Sequence, residues 1–236
     1  QGADVLDLGA QSTRPGAKEV GTKEECKRLL PVLTAIRKRW PDVLISVDTF
    51  LAPVATAALE AGASWINDVS GGLRDPELLR VVADAGCPVV LMHSRGNSQT
   101  MDDLTDYSDL IQEVKSGLLE RTDSAVTAGV REDQIIWDPG LGFAKTHEQN
   151  LKLLKDLEQL TCGPRPLLIG PSRKRFIGAV LDEPRPKARL WGTAAVACRC
   201  AQAGVALVRV HDVGPIAQTL KMSAALWPRE ESSSHN

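Results

Sequence analysis

The sequence predicts an α/β fold, a parallel β/α barrel, on three observations. Short apolar runs rich in Val, Ile and Leu recur along the chain, and each is followed by a longer segment with apolar residues at helical spacing. The runs also end in polar residues. Continuous apolar strands joined by long helical crossovers make a parallel sheet covered by helices. Seven such units are present, one short of the TIM (β/α)8 barrel, whose chemistry sits at the C-terminal ends of its strands. The chain starts at Gln1, directly before a strand pattern, so the expectation is a barrel whose first strand unit is absent. An open doubly wound sheet competes with it, but no G-x-G-x-x-G follows the first run.

The units run in order. ADVLDL (3–8) is a strand, GAQSTRPGAKEVG (9–21) a loop longer than a βα connection needs, and 22–39 a helix. VLISV (43–47) precedes a helix over 52–62, and WINDV (65–69) one over 76–85. PVVLM (88–92) leads into a second long loop, HSRGNSQTMDDLTD (93–106), and a helix over 107–128. IIWD (135–138) is followed by a helix over 147–160. PLLIG (166–170) is followed by one over 188–203, and VALVRV (205–210) by a last one over 213–226. The barrel domain is expected over 1–228, with a polar tail at 229–236.

At 236 residues, 43% hydrophobic and with a net charge of −2, the chain fits one α/β domain. No window is basic enough to hold a nucleic-acid backbone, and no apolar run reaches the ~20 residues of a membrane helix. Neither nucleic acid nor membrane is an expected partner, and small-molecule chemistry fits better. The N-terminus lacks signal-peptide regions, so the expected location is cytoplasmic, with the mitochondrion as the alternative. Cys26, Cys87, Cys162, Cys198 and Cys200 are scattered, odd in number and without a C-x-x-C pair; they read as reduced thiols.

The strand ends carry the functional signal: Asp7, Ser46, Asp48, Asn67, Asp68, His93, Asp138, Ser172, Lys174, Arg209 and His211. A helix cap or turn explains any one of them. All seven units showing the pattern points to an active-site mouth. PSRKRFIG (171–178) places a Ser and three cations at a helix start, which suits a phosphate or carboxylate. Arg209 and His211, two apart on one strand, project to the same face. No G-x-S-x-G elbow or other covalent-catalysis signature is present.

These residues fall in ordered motifs: DLGAQSTRPGA (7–17), SVDTF (46–50), INDVSGG (66–72), LMHSRG (91–96), DPGLGF (138–143), GPSRKRFIG (170–178) and RVHDV (209–213). Seven of them in this order resemble the dihydropteroate synthases of the pterin-binding barrel family, across essentially the whole chain. The resemblance implies a folate-pathway transferase that condenses a dihydropterin methyl diphosphate with p-aminobenzoate, giving dihydropteroate and pyrophosphate. It also implies roles. Asp138 and Asn67 would read the pterin edge with support from Asp48, Met92 and Phe143 would contact the ring, and Lys174 would donate to the carbonyl side. Arg209 and His211 would hold the diphosphate, with Arg209 also at the pterin. Thr13, Arg14, Pro15 and Ser172 would hold p-aminobenzoate. Lys174, Asp138, Arg209 and His211 form the expected catalytic set.

The same resemblance implies Mg2+ as cofactor and a homodimer formed through the last helices. The family's Asn metal ligand belongs to the first unit, so no metal ligand is expected within this chain. Gln11 stands where the family often has Glu. The resemblance also allows the chain to be part of a longer, multifunctional folate-pathway polypeptide. A non-catalytic pterin-binding module, or a pterin-dependent methyltransferase-type barrel, is the alternative.

Overall fold

The computed structural model describes residues 1–14 and 16–227. Seven parallel strands occur among them: β1 (Val5–Gly9), β2 (Leu44–Asp48), β3 (Trp65–Asp68), β4 (Val89–Met92), β5 (Ile135–Asp138), β6 (Leu168–Ile169) and β7 (Leu207–Val208). The first five form one sheet in sequence order, and β6 pairs with β7. A parallel bridge from Trp137 to Leu167 joins the two sheets, closed by the Trp137 amide donating to the Pro166 carbonyl at 2.9 Å.

The helices are α1 (Thr22–Arg39), α2 (Ala52–Glu60), α3 (Glu77–Ala85), α4 (Leu110–Thr127), α5 (His147–Lys155), α6 (Glu158–Thr161), α7 (Arg175–Leu181), α8 (Leu190–Gln202) and α9 (Val213–Leu226). Local chemistry sets their ends. Helix α1 has Glu24 and Glu25 in its first turn and Arg37, Lys38 and Arg39 in its last, which complements the helix dipole. The Asp109 side chain accepts from the Ile111 and Gln112 amides to start α4, three residues later than the periodicity suggests. Thr146 and Gln149 close a capping box on α5. The expected helix over 147–160 is interrupted at Asp156, so it becomes α5 and the single turn α6.

Period-two alternation splits the strand side chains between two cores. Ile45, Val47, Ile66, Val89, Leu91, Ile135, Trp137 and Ile169 pack outward against helix residues such as Leu33, Leu78, Leu118 and Leu153. Val90, Ile136 and Leu168 form a separate buried cluster on the other face, with Trp65 and Leu207 packed against it. That second cluster draws on five strands, β3 to β7.

At the next inward position three of these strands turn polar: Trp65 is followed by Asn67, Ile136 by Asp138 and Leu207 by Arg209, while Val90 is followed by Met92. The register places Gly9, Asp48 and Asn67 in one row, and Met92 beside Asp138. The pleat thus delivers the functional residues to one end of the sheet. Among the described residues, no helix is long and apolar enough to cross a membrane.

Candidate active site

A cavity of about 2450 Å3 opens over this end of the sheet and runs between β1 and β7. Asp48, Phe143, Ser172, Lys174, Arg209 and His211 line it, together with Thr13 and Arg14 of the loop after β1. Asn67, Met92 and Asp138 lie deeper, at 2%, 1% and 3% exposure. Met92 and Phe143 share a small apolar cluster with Phe50, Val69 and Met101.

Arg209 is the centre of charge. Its Nη1 donates to Asp7 Oδ2 and Asp48 Oδ2, both at 3.0 Å, and Ser46 Oγ donates to Asp7 Oδ1 at 2.6 Å. Burial pushes the Asp48 carboxyl up to about 7 against the opposing pull of Arg209, with the nearby Asp7 charge adding to the rise. Arg209 and His211 were expected to converge on one ligand through the strand period. In the structure they hold different partners. His211 turns its Nδ1 to Ser172 Oγ at 2.9 Å, and its own amide donates to the same hydroxyl at 3.2 Å.

Asp138 accepts the Gly140 amide at Oδ1, 2.7 Å away, and burial raises its carboxyl above the usual range. Lys174 ends the turn before α7, with its Nζ 4.3 Å from the centroid of the Phe143 ring. Burial, then the Arg209 charge, brings its ammonium down to about 8. Buried Asn67 Oδ1 has no hydrogen-bond partner.

The three cations of 173–175 part company. Arg173 forms a two-point pair with Asp212 at 2.7 and 3.1 Å. Arg175 does the same with Asp102, at 2.7 and 3.1 Å. All three line the cavity, but Arg173 and Arg175 are engaged by carboxylates while Lys174 turns to Phe143.

The two long loops clasp each other. The Gly16 amide donates to the Ser98 carbonyl at 2.7 Å, and Ser98 Oγ to the Ala17 carbonyl at 2.8 Å. Gln11 Oε1 accepts the Val20 amide at 3.0 Å, a neutral brace across the base of the first loop. Pro15 lies outside the described residues, as does the 229–236 tail.

Sequence reasoning missed Lys145. It is 7% exposed, with its Nζ 3.2 Å from His93 Nδ1, 3.2 Å from the Gly140 carbonyl and 3.1 Å from the Phe143 carbonyl. The signal was present in DPGLGFAK: Gly140 and Gly142 both take positive φ, folding the loop back so that residue 145 returns beneath 138–143. His93, expected among the mouth residues, is instead wedged against α4. A Cβ on Gly117 would meet its Cδ2 at 2.8 Å. Asp68 caps the turn after β3 by accepting the Ser70 and Gly72 amides at 2.7 and 2.6 Å.

The resemblance implies magnesium, with its ligand expected outside this chain. Among the described residues no three His, Cys, Asp or Glu side chains converge on a common point, and Asp7 and Asp48 are both engaged by Arg209.

The profile of the pterin-binding enzyme family matches residues 1–211. A dihydropteroate synthase of Synechocystis sp. is 52% identical over 226 residues, covering 96% of this chain and 78% of that protein. A folic acid synthesis protein of Pneumocystis carinii is 44% identical over 231 residues, 96% of this chain but 31% of its own length. Among solved structures, the Yersinia pestis dihydropteroate synthase with a sulfonamide drug complex superposes with a TM-score of 0.91 at 38% identity, over 95% of this chain and 81% of that one. The Xanthomonas albilineans dihydropteroate synthase with 4-aminobenzoic acid gives 0.90 at 41%, over 97% and 81%. Asp138, Asn67, Lys174 and Arg209 thus stand in an α/β scaffold shared with folate-pathway transferases, and the chain belongs to the pterin-binding enzyme family, among the dihydropteroate synthases.

Proposed function

We propose that this chain carries the active site that joins a dihydropterin methyl diphosphate to p-aminobenzoate. The observation that carries the reading is the buried pair Asn67 and Asp138. Asn67 Oδ1 has no partner, and Asp138 commits only Oδ1 to Gly140. A buried acceptor left unpaired costs about 1–3 kcal/mol and is retained where a ligand completes it. The amino and ring N–H edge of a pterin is such a ligand. Lys174 donates to the pterin carbonyl side, and Met92 and Phe143 contact the ring.

The bond that breaks joins the pterin methylene carbon to the diphosphate oxygen, which leaves with the electron pair. The bond that forms joins that carbon to the p-aminobenzoate nitrogen, which then sheds a proton. The pterin delocalises the positive charge on the methylene, so the protein mainly positions and neutralises. Arg209, already held by two carboxylates, and His211 receive the pyrophosphate. Ser172, Thr13 and Arg14 hold the p-aminobenzoate carboxylate side.

We further infer that the seven strands belong to an eight-stranded barrel whose remaining βα unit is not part of this chain. Two features support it: the inner cluster shared by five strands, and the cavity lined by both β1 and β7. A full-length coding sequence with no βα unit upstream of Gln1 would overturn it.

The test is turnover by the full-length protein with both substrates, following dihydropteroate and pyrophosphate. Binding of pterin diphosphate without any pteroate product defeats the proposal. Arg14→Ala should raise the p-aminobenzoate KM by about tenfold, the scale of one charge-assisted contact, and spare pterin binding.

A further inference from the structure

Beneath the pterin residues lies a polar cluster that the chemistry above does not use. Lys145 is buried and has three donors and no acceptor. Each donor meets an acceptor: the Gly140 carbonyl, the Phe143 carbonyl and His93 Nδ1. Burial and the Lys145 charge keep His93 neutral, and against the ammonium form of Lys145 its proton lies on Nε2, which leaves Nδ1 to accept. The His93 ring packs against α4 at Gly117, and its own amide donates to the Asp138 carbonyl at 2.8 Å. The charged neighbours are Arg95 beyond β4, Arg121 on α4, Asp138 on β5 and Lys174 before α7.

These contacts close a circuit around Asp138. Its carbonyl is held from β4 and its Oδ1 by the Gly140 amide. Gly140 itself is held in a left-handed conformation (φ 70°) with its carbonyl on Lys145. The approach is close: a Cβ on Gly140 would lie 2.0 Å from the His93 carbonyl oxygen. The Phe143 carbonyl, on the same ammonium, fixes the ring that faces Lys174.

We propose that Lys145, braced by His93 as a neutral acceptor, is a positioning residue for the pterin subsite: it sets the 138–143 loop so that Asp138 and Phe143 are aimed together. This rests on the function proposed above. The His93 ring accepts at Nδ1 and makes no contact with substrate.

The test uses the full-length protein, fluorescence titration with an oxidised pterin, and steady-state kinetics with both substrates. Lys145→Met, similar in shape but without donors, is expected to weaken pterin binding and raise the KM for the pterin diphosphate by at least about tenfold, with the p-aminobenzoate KM within about twofold. His93→Asn places an amide oxygen close to the position of Nδ1 and is expected to retain pterin affinity within about threefold, whereas His93→Leu loses about tenfold. Unchanged pterin affinity in Lys145→Met, or His93→Asn as impaired as His93→Leu, overturns the inference. If Lys145→Met does not fold, the Asn and Leu pair at 93 decides alone. A wild-type protein that binds no pterin defeats the proposed function itself, a result distinct from unaffected variants.

Discussion

The β1–β5 sheet and the β6–β7 pair differ in how they are held. Strands β1 to β5 are four or five residues long, paired in continuous parallel register, with β4 and β5 buried along their whole length. Strands β6 and β7 pair over two residues, β7 is only half-buried, and one backbone bridge at Trp137 connects them to the rest. Chemistry divides the same way. The larger sheet contributes Asp7, Asp48, Asn67 and Asp138, while the smaller region contributes Lys174, Arg209 and His211. What the second region lacks in backbone pairing it replaces by cationic side chains reaching across to carboxylates and an aromatic ring. The polar contacts of the candidate site therefore add to the apolar clusters that already span the two regions.

Cutting these ties one at a time tests that view. Arg209→Met should have the largest effect, because it leaves Asp7 and Asp48 without their shared counterion. Turnover is expected to fall at least about 1,000-fold, and stability by about 2 kcal/mol, below the figure for a fully buried pair because Arg209 is partly exposed. The sign with pH is fixed by Asp48. Its folded pKa of about 7 lies above the ordinary 3.8, so its contribution favours the fold at low pH and is lost as pH rises through 7. Denaturant titration should therefore show a larger deficit at pH 8 than at pH 5. Asp48→Asn added to Arg209→Met should recover stability but not turnover; recovery of both would end the case for Arg209 in catalysis.

Lys174→Met comes next. Its folded pKa of about 8 lies below the ordinary 10.5, so stability is fully present above 10.5 and lost as pH falls through about 8. The variant is expected to melt above wild type at pH 7, with the gap closing toward pH 10, while turnover drops about 100-fold. Equal melting of the two proteins at pH 7 would contradict this. The smallest effect belongs to Arg175→Ala. Its pair with Asp102 also joins the two regions but is more than half exposed, so melting should show a loss under about 0.5 kcal/mol, with kinetics unchanged. A larger loss would mean that surface pairs share in holding the regions together.

Much of this was legible in the sequence, for a physical reason. Strand position, helix period and strand-end polarity are local, and each of the seven runs yields a strand within a few residues of its expected bounds. The shortfalls lie where pairing decides. The runs 166–170 and 205–210 narrow to two residues each, because a strand is defined by its neighbour and β7 has one on a single side. The strand-end polar residues were readable from the pattern, but their partners were not. Spacing places Arg209 and His211 on one face without showing that Asp7 and Asp48 hold one and Ser172 the other. Lys145 escaped because its role arises from two positive-φ glycines and from a strand 52 residues away. Gln11 bonds within its own loop, accepting the Val20 amide, a contact that spacing does not show.

The outer strands of the two sheets have a further consequence. β1 ends one sheet and β7 the other, so each offers a row of main-chain donors and acceptors along its outer side. Such rows are templates: any extended segment of fitting pattern can add to them, whether from the same polypeptide or from another molecule. The cavity is lined by both strands, so a concentrated solution of this chain would begin to associate beside the candidate site.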